Sequence, residues 1–127
     1  MFHYTVQTAK AVEEATQSLE ESLKEEGFGV LWNFDLQGKL QEKGVDFKDN
    51  YKILEVCNPK EAEKVLSRDK LVGNFLPCKI TVFEEENKTN ISMPKPTVLI
   101  DFMNDDTLKE IAQDIEQRMI KCIDQAS

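Results

Sequence analysis

The chain has 127 residues, of which 40% are hydrophobic and 31% charged, a balance that belongs to globular chains and excludes a disordered one. Its net charge of −8 argues against a nucleic-acid partner, because phosphate backbones are held by clustered Lys and Arg. No run approaches the roughly 18 consecutive apolar residues of a membrane helix, and Met1-Phe2-His3-Tyr4 lacks the basic head and apolar core of a secretion signal. These features lead us to expect a cytoplasmic protein, folded as a single domain over residues 1–127, with neither nucleic acid nor membrane as partner.

The hydrophobic pattern divides the chain into alternating elements. Phe2, Tyr4 and Val6 alternate with polar residues and predict a half-buried strand. Thr8 is a candidate cap for a helix that places Val12, Ala15, Leu19, Ser22 and Leu23 on one face, and Gly27 suits the left-handed residue that ends it. Phe28, Val30, Trp32 and Phe34 alternate again and predict a second strand with all four on one face. Asp35 then reads as the N-cap of a short helix carrying Leu36 and Leu40 and closed by Gly44.

Tyr51 to Cys57 is apolar on both faces and predicts an interior strand. It runs directly into Asn58-Pro59-Lys60-Glu61, a helix start with a preferred N-cap, a proline at the first helical position and a glutamate placed for a capping box. That helix buries Ala62, Val65 and Leu66. Leu71 to Pro77 reads as a loop. Cys78, Ile80 and Val82 predict a strand, Glu84-Glu85-Glu86-Asn87 a turn, and Thr89, Ile91 and Met93 the return arm of a hairpin. Pro94 and Pro96 interrupt that arm, with Val98, Ile100 and Phe102 in the pattern of its continuation. Leu108, Ile111, Ala112, Ile115, Met119, Cys122 and Ile123 mark a long terminal amphipathic helix. The order β-α-β-α-β-α-β-β-α predicts an α+β fold: one two-layer domain, a mixed β-sheet with some parallel pairing, and helices packed mainly on one face.

Residues that could carry chemistry are few. The three cysteines, Cys57, Cys78 and Cys122, form no Cys-x-x-Cys, and His3 is the only histidine. We therefore expect no structural zinc, no metal and no cofactor. Cys57 precedes a helix N-terminus, where a thiol pKa falls and a nucleophile forms, yet free cysteine is also among the most buried residue types. The same two readings hold for Cys78, whereas Cys122 lies on an apolar helical stripe. Glu55 is a carboxylate on an otherwise apolar strand, which requires a partner, a proton or an opening to a pocket; Lys43 is a candidate partner. Asn58 could touch a ligand, although capping accounts for it.

The segments Asp35-Leu36-Gln37-Gly38-Lys39-Leu40-Gln41-Glu42-Lys43-Gly44, Tyr51-Lys52-Ile53-Leu54-Glu55-Val56-Cys57-Asn58-Pro59 and Leu76-Pro77-Cys78-Lys79-Ile80-Thr81-Val82, in this order and spacing, resemble the domain of unknown function 302 family. The resemblance runs from Phe2 to about Glu116. It implies a compact bacterial or archaeal α+β domain and brings no established activity with it. The ligand-binding candidates are Lys43, Glu55, Cys57, Asn58 and Cys78, with catalytic residues unknown.

Three functional readings follow. The first is a non-catalytic domain that binds or senses a small molecule near the Cys57-Asn58-Pro59 helix start, where an exposed helix N-terminus favours an anion. The second is a thiol-based redox or sulfur-transfer enzyme using Cys57 and Cys78, weakened by the lack of a nearby base. The third is a homo-oligomeric assembly module, in the simplest case a homodimer.

Overall fold

Two residues at the tip of a hairpin, Glu86 and Asn87, both adopt positive φ, 51° and 64°. That is the geometry of the tight turn whose twist matches two antiparallel strands. In the computed structural model, which describes residues 1–127, they join β4 (Cys78–Glu85) to β5 (Lys88–Pro94). The other strands are β1 (His3–Thr8), β2 (Gly29–Asp35) and β3 (Tyr51–Cys57). They form one five-stranded sheet in the order β1-β5-β4-β3-β2.

The α+β class and the layer of helices follow the sequence pattern, but the expected mixed sheet does not form. Every neighbouring pair is antiparallel. The reason lies in the connections. Helix α1 (Val12–Glu25) carries the chain from β1 at one edge to β2 at the other, so the two co-directional strands never meet. Helix α2 (Leu36–Glu42) has seven residues, about 10 Å, against about 23 Å for a seven-residue strand. The segment that follows it stays at the same end of the sheet, with Gln37 and Gln41 of α2 bonded to the Lys48 and Phe47 carbonyls, so β3 enters where β2 left. Helix α3 (Pro59–Arg68) and a 3₁₀ helix (Lys70–Phe75) connect β3 to β4 in the same antiparallel sense.

Helices α1 and α5 (Asp106–Ala126) cover one face of the sheet. Leu19 and Leu23 of α1 and Met119, Cys122 and Ile123 of α5 bury against Leu54, Val56, Ile80, Val82, Ile91 and Met93 of the sheet. A smaller cluster, Val65, Val72, Ile100, Leu108 and Ala112, gathers where α3, the 3₁₀ helix and α4 (Pro96–Ile100) meet α5.

Four local expectations change. Thr8 does not cap α1: the helix starts at Val12 with no side-chain cap, and the Thr8 hydroxyl accepts from the Lys10 N–H instead. Val98, Ile100 and Phe102 are not a strand. Pro96 opens the short helix α4, and Asp101–Met103 follows as a 3₁₀ turn, because Ile100 packs onto α5-side residues rather than along the sheet. Leu71 to Pro77 is mostly the 3₁₀ helix, not an open loop.

Finally, the four alternating residues from Phe28 through β2 split between faces. The register with β3 shifts between Val30 and Trp32. Leu31 is the extra residue of this bulge, and 63% of it is exposed. A bulge of one residue reverses the facing of everything beyond it. Phe28 and Val30 therefore stay with the core, while Trp32 and Phe34 turn to the open face, opposite Glu55 and Ile53.

Candidate functional site

The helix start singled out by sequence is a structural joint. The Asn58 Oδ1 accepts from the Lys60 N–H at 3.1 Å and the Glu61 N–H at 3.3 Å. The N–H groups that would have met an anion are thus already engaged. Glu61 does not close a capping box. It is buried, only 8% exposed, and its carboxylate accepts from the Lys64 ammonium at 3.0 Å and the Arg118 guanidinium at 3.4 Å. Arg118 also donates to the Glu26 carbonyl at 2.9 Å and lies 5.1 Å over the Phe28 ring. This one side chain ties α5 to α3 and to the end of α1.

A cavity of about 290 Å³ opens beside the later half of β3, at Glu55. Its origin is a parting of strands. The β4–β5 ladder runs only from Glu85↔Lys88 to Thr81↔Ser92. Beyond it, β5 continues along β1 through Met93 and Pro94, while Cys78, Lys79 and Ile80 pair only with β3. The wedge between them is roofed by α4 and α5 and walled by the 3₁₀ helix, with the smaller apolar cluster forming much of the lining. Leu76, Leu99, Leu108 and Ala112 give it an apolar body, and Glu55, Asn74 and Lys79 supply polar groups. Glu55 and Lys79 stand opposite each other in register.

The sequence-predicted residues are thereby divided. Glu55 and Cys78 line the cavity; Lys43, Cys57 and Asn58 do not. Lys43 ends α2 and makes no ion pair, and the cation facing Glu55 across the ladder is Lys79. Burial pushes the Cys78 thiol up to about 11, with the neighbouring Cys57 adding to the effect. Burial likewise raises the Cys122 thiol to about 11, where it donates weakly to the Ser22 carbonyl at 3.4 Å. All three cysteines are free. No group of three or more His, Cys, Asp or Glu side chains converges as a metal site, and no helix is long and apolar enough to cross a membrane.

The residues that sequence reasoning missed are Val72, Asn74, Lys79, Leu99 and Leu108. Only the prolines gave a signal: Pro94 and Pro96 cannot donate to a ladder, and the parting of β5 from β4 begins just before them.

A small antiparallel α+β domain with one apolar, strand-wedge cavity is the class this geometry defines. Residues 4–126 match the family described as Domain of unknown function DUF302, and the chain belongs to it. It is also similar to a solved structure, described as an uncharacterized conserved protein DUF302 from Bacillus stearothermophilus, at 57% identity, with a TM-score of 0.97 over 100% of this chain and 99% of that one. None of the curated proteins matches the chain.

Proposed function

We propose that this DUF302 domain is a non-catalytic binding domain for a small molecule with an apolar body and a polar end. The ligand sits in the wedge between β4 and β5 and not at the Asn58 helix start. The observation that carries this reading is the cavity itself: about 290 Å³, close to the lower end of small-molecule sites, apolar for most of its lining and with a few convergent polar groups. The ligand's polar end meets Lys79, the cation at the mouth, beside the half-buried Glu55; an anionic end suits Lys79. Thiol chemistry draws no support from Cys78 or Cys122, whose burial holds them as neutral thiols at neutral pH.

The test uses 1-anilinonaphthalene-8-sulfonate, an aromatic anion of suitable size, titrated into the full chain by fluorescence. One saturable site per chain is expected, lost in Ala112→Leu and in Leu99→Phe, both of which fill the cavity, and weakened in Lys79→Gln. Binding that survives both filling variants, with their thermal midpoints unchanged, overturns the assignment, as does the absence of saturable binding to the wild-type chain.

A further inference from the structure

Helices α1 and α5 cover one face of the sheet; neither covers the other. Register assigns to the open face Trp32 and Phe34 of β2, Tyr51, Ile53 and Glu55 of β3, and Lys79, Thr81 and Phe83 of β4. Trp32 and Phe34 stack at 4.9 Å, and Tyr51 and Phe83 stack at 4.9 Å with their planes 13° apart. Phe47, from the loop before β3, meets the edge of Tyr51 at 6.4 Å. Ile53 lies between the two stacks, flanked in the ladders by Phe34 and Thr81. The other half of the face is polar, with the Thr5 and Ser92 hydroxyls bonded to each other. Trp32 is exposed and Phe34, Tyr51, Ile53 and Phe83 are half-buried, a rimmed aromatic face of the kind that marks an interaction surface.

We infer that a second copy of this chain covers this face, in a two-fold homodimer that packs open sheet against open sheet. Two observations select this occupant. The first is charge. The chain carries −8, yet the charged strand residues on this face are Glu55 opposite Lys79 and Glu85 opposite Lys88, two of each sign. The acidic excess lies outside this face. Two identical acidic chains can therefore approach through it with little repulsion, whereas a basic partner finds no net charge here to bind. The second is area. Five strands about 4.8 Å apart and about 23 Å long offer roughly 550 Å² in projection, which the relief of the side chains raises toward the roughly 800 Å² per partner of a stable interface. A two-fold axis crossing the strands near Ile53 sets the aromatic half against itself and satisfies the self-complementarity an isologous interface requires. Sheets packed in this way stand about 10 Å apart with their strands near −30°.

The experiment is sedimentation equilibrium of the full chain over roughly 1–100 µM, a range that brackets micromolar association, with Trp32 emission followed on dilution. The expected mass at the upper end is twice 14.6 kDa. The lone Trp32, 53% exposed in one chain, should shift to the red as the dimer dissociates. Ile53→Lys is expected to weaken association by at least about tenfold, as loss of a central apolar anchor does. Trp32→Glu lies on an edge strand and should do the same without disturbing the fold, so it carries the test if Ile53→Lys unfolds. A wild-type chain that is monomeric throughout overturns the inference. So does a dimer whose dissociation constant both folded variants leave unchanged.

Discussion

Cys78 stands directly opposite Val56 in the β3–β4 ladder, so Cys57, one residue further along β3, projects toward the other face of the sheet. For this pair the chain order suggests antiparallel neighbours with the two sulfurs within bridging reach; the strands are such neighbours, but the pleat separates the sulfurs. A disulfide needs converging Cβ vectors, and these diverge. Air or diamide oxidation of the native chain should therefore yield no Cys57–Cys78 crosslink, read as the absence of that linked peptide in a non-reducing digest. Its rapid and complete formation without loss of structure would contradict the register.

The buried thiols make a second prediction. Cys78 and Cys122 both titrate near 11 in the folded chain, above the ordinary cysteine value of about 8.5. Native alkylation at pH 7 should leave both slow, because only about one thiol in 10⁴ is ionised at such a pKa. The linkage has a definite sign. The unfolded chain loses these protons first, so stability is intact below about pH 8.5 and falls as pH rises toward 11. Urea midpoints measured from pH 8 to 11 should decline less steeply in Cys78→Ala than in the wild type, even if the variant starts lower.

How far such relationships are legible depends on whether their signal is local. Asn58 and Pro59 announce the start of α3 because the cap and the fixed φ act within three residues, and α5 shows its apolar stripe because packing repeats along one helix. The bulge at Leu31 has no such signature. Phe28, Val30, Trp32 and Phe34 alternate without interruption in sequence, and only pairing with β3 decides where the extra residue falls. The cavity is less legible still. Val72, Leu99 and Leu108 come from three separate elements, brought together by the parting of β4 and β5. The mixed sheet failed for a related reason: strand direction depends on how far each connection reaches, and a periodic pattern does not encode reach.

Asn58 should behave as a cap and nothing more. Asn58→Ala is expected to lower stability by roughly 1 kcal/mol, measured by thermal or urea unfolding of the ligand-free chain, while Asn58→Asp retains most of it. Gly27 tests the same joint from the other side. Its φ is +82°, and an added Cβ would lie 3.2 Å from the Asn58 Nδ2. Gly27→Ala should lose about 1–2 kcal/mol from the left-handed backbone alone. An unshifted midpoint in Asn58→Ala would return that residue to the list of ligand contacts.

Arg118 should be the most sensitive charged position. It supports the buried Glu61, the Glu26 carbonyl and the Phe28 ring together. Arg118→Ala leaves Glu61 with Lys64 alone, and a loss on the order of 2 kcal/mol is expected. Arg118→Lys should recover only part of it, since an ammonium cannot reproduce the spread of a guanidinium over Glu61, Asp114, the Glu26 carbonyl and the Phe28 ring. Adding Glu61→Gln to Arg118→Ala should cost less than the two single losses combined. Strict additivity would show that the pair does not interact.

At the opposite end of α3, Asp105 links two helices. Its carboxylate accepts from the Arg68 guanidinium at 3.0 and 3.3 Å and from the Thr107 and Leu108 N–H groups that open α5. The Arg68 bond, followed by the Leu108 N–H, holds its carboxyl below the usual carboxylate range. A lowered native value means that the ionised form is favoured on folding. The stabilisation is present above the unfolded carboxylate pKa of about 3.9 and is lost as pH falls through the native value. Asp105→Asn keeps an oxygen that can cap α5 but removes the charge that answers Arg68. Urea midpoints of wild type and variant should therefore differ at pH 7 and converge as the pH is lowered toward about 3. The residual difference at low pH reports the cap alone, which asparagine supplies nearly as well. Two curves that remain parallel across this range would show that ionisation of Asp105 contributes nothing to holding α3 against α5.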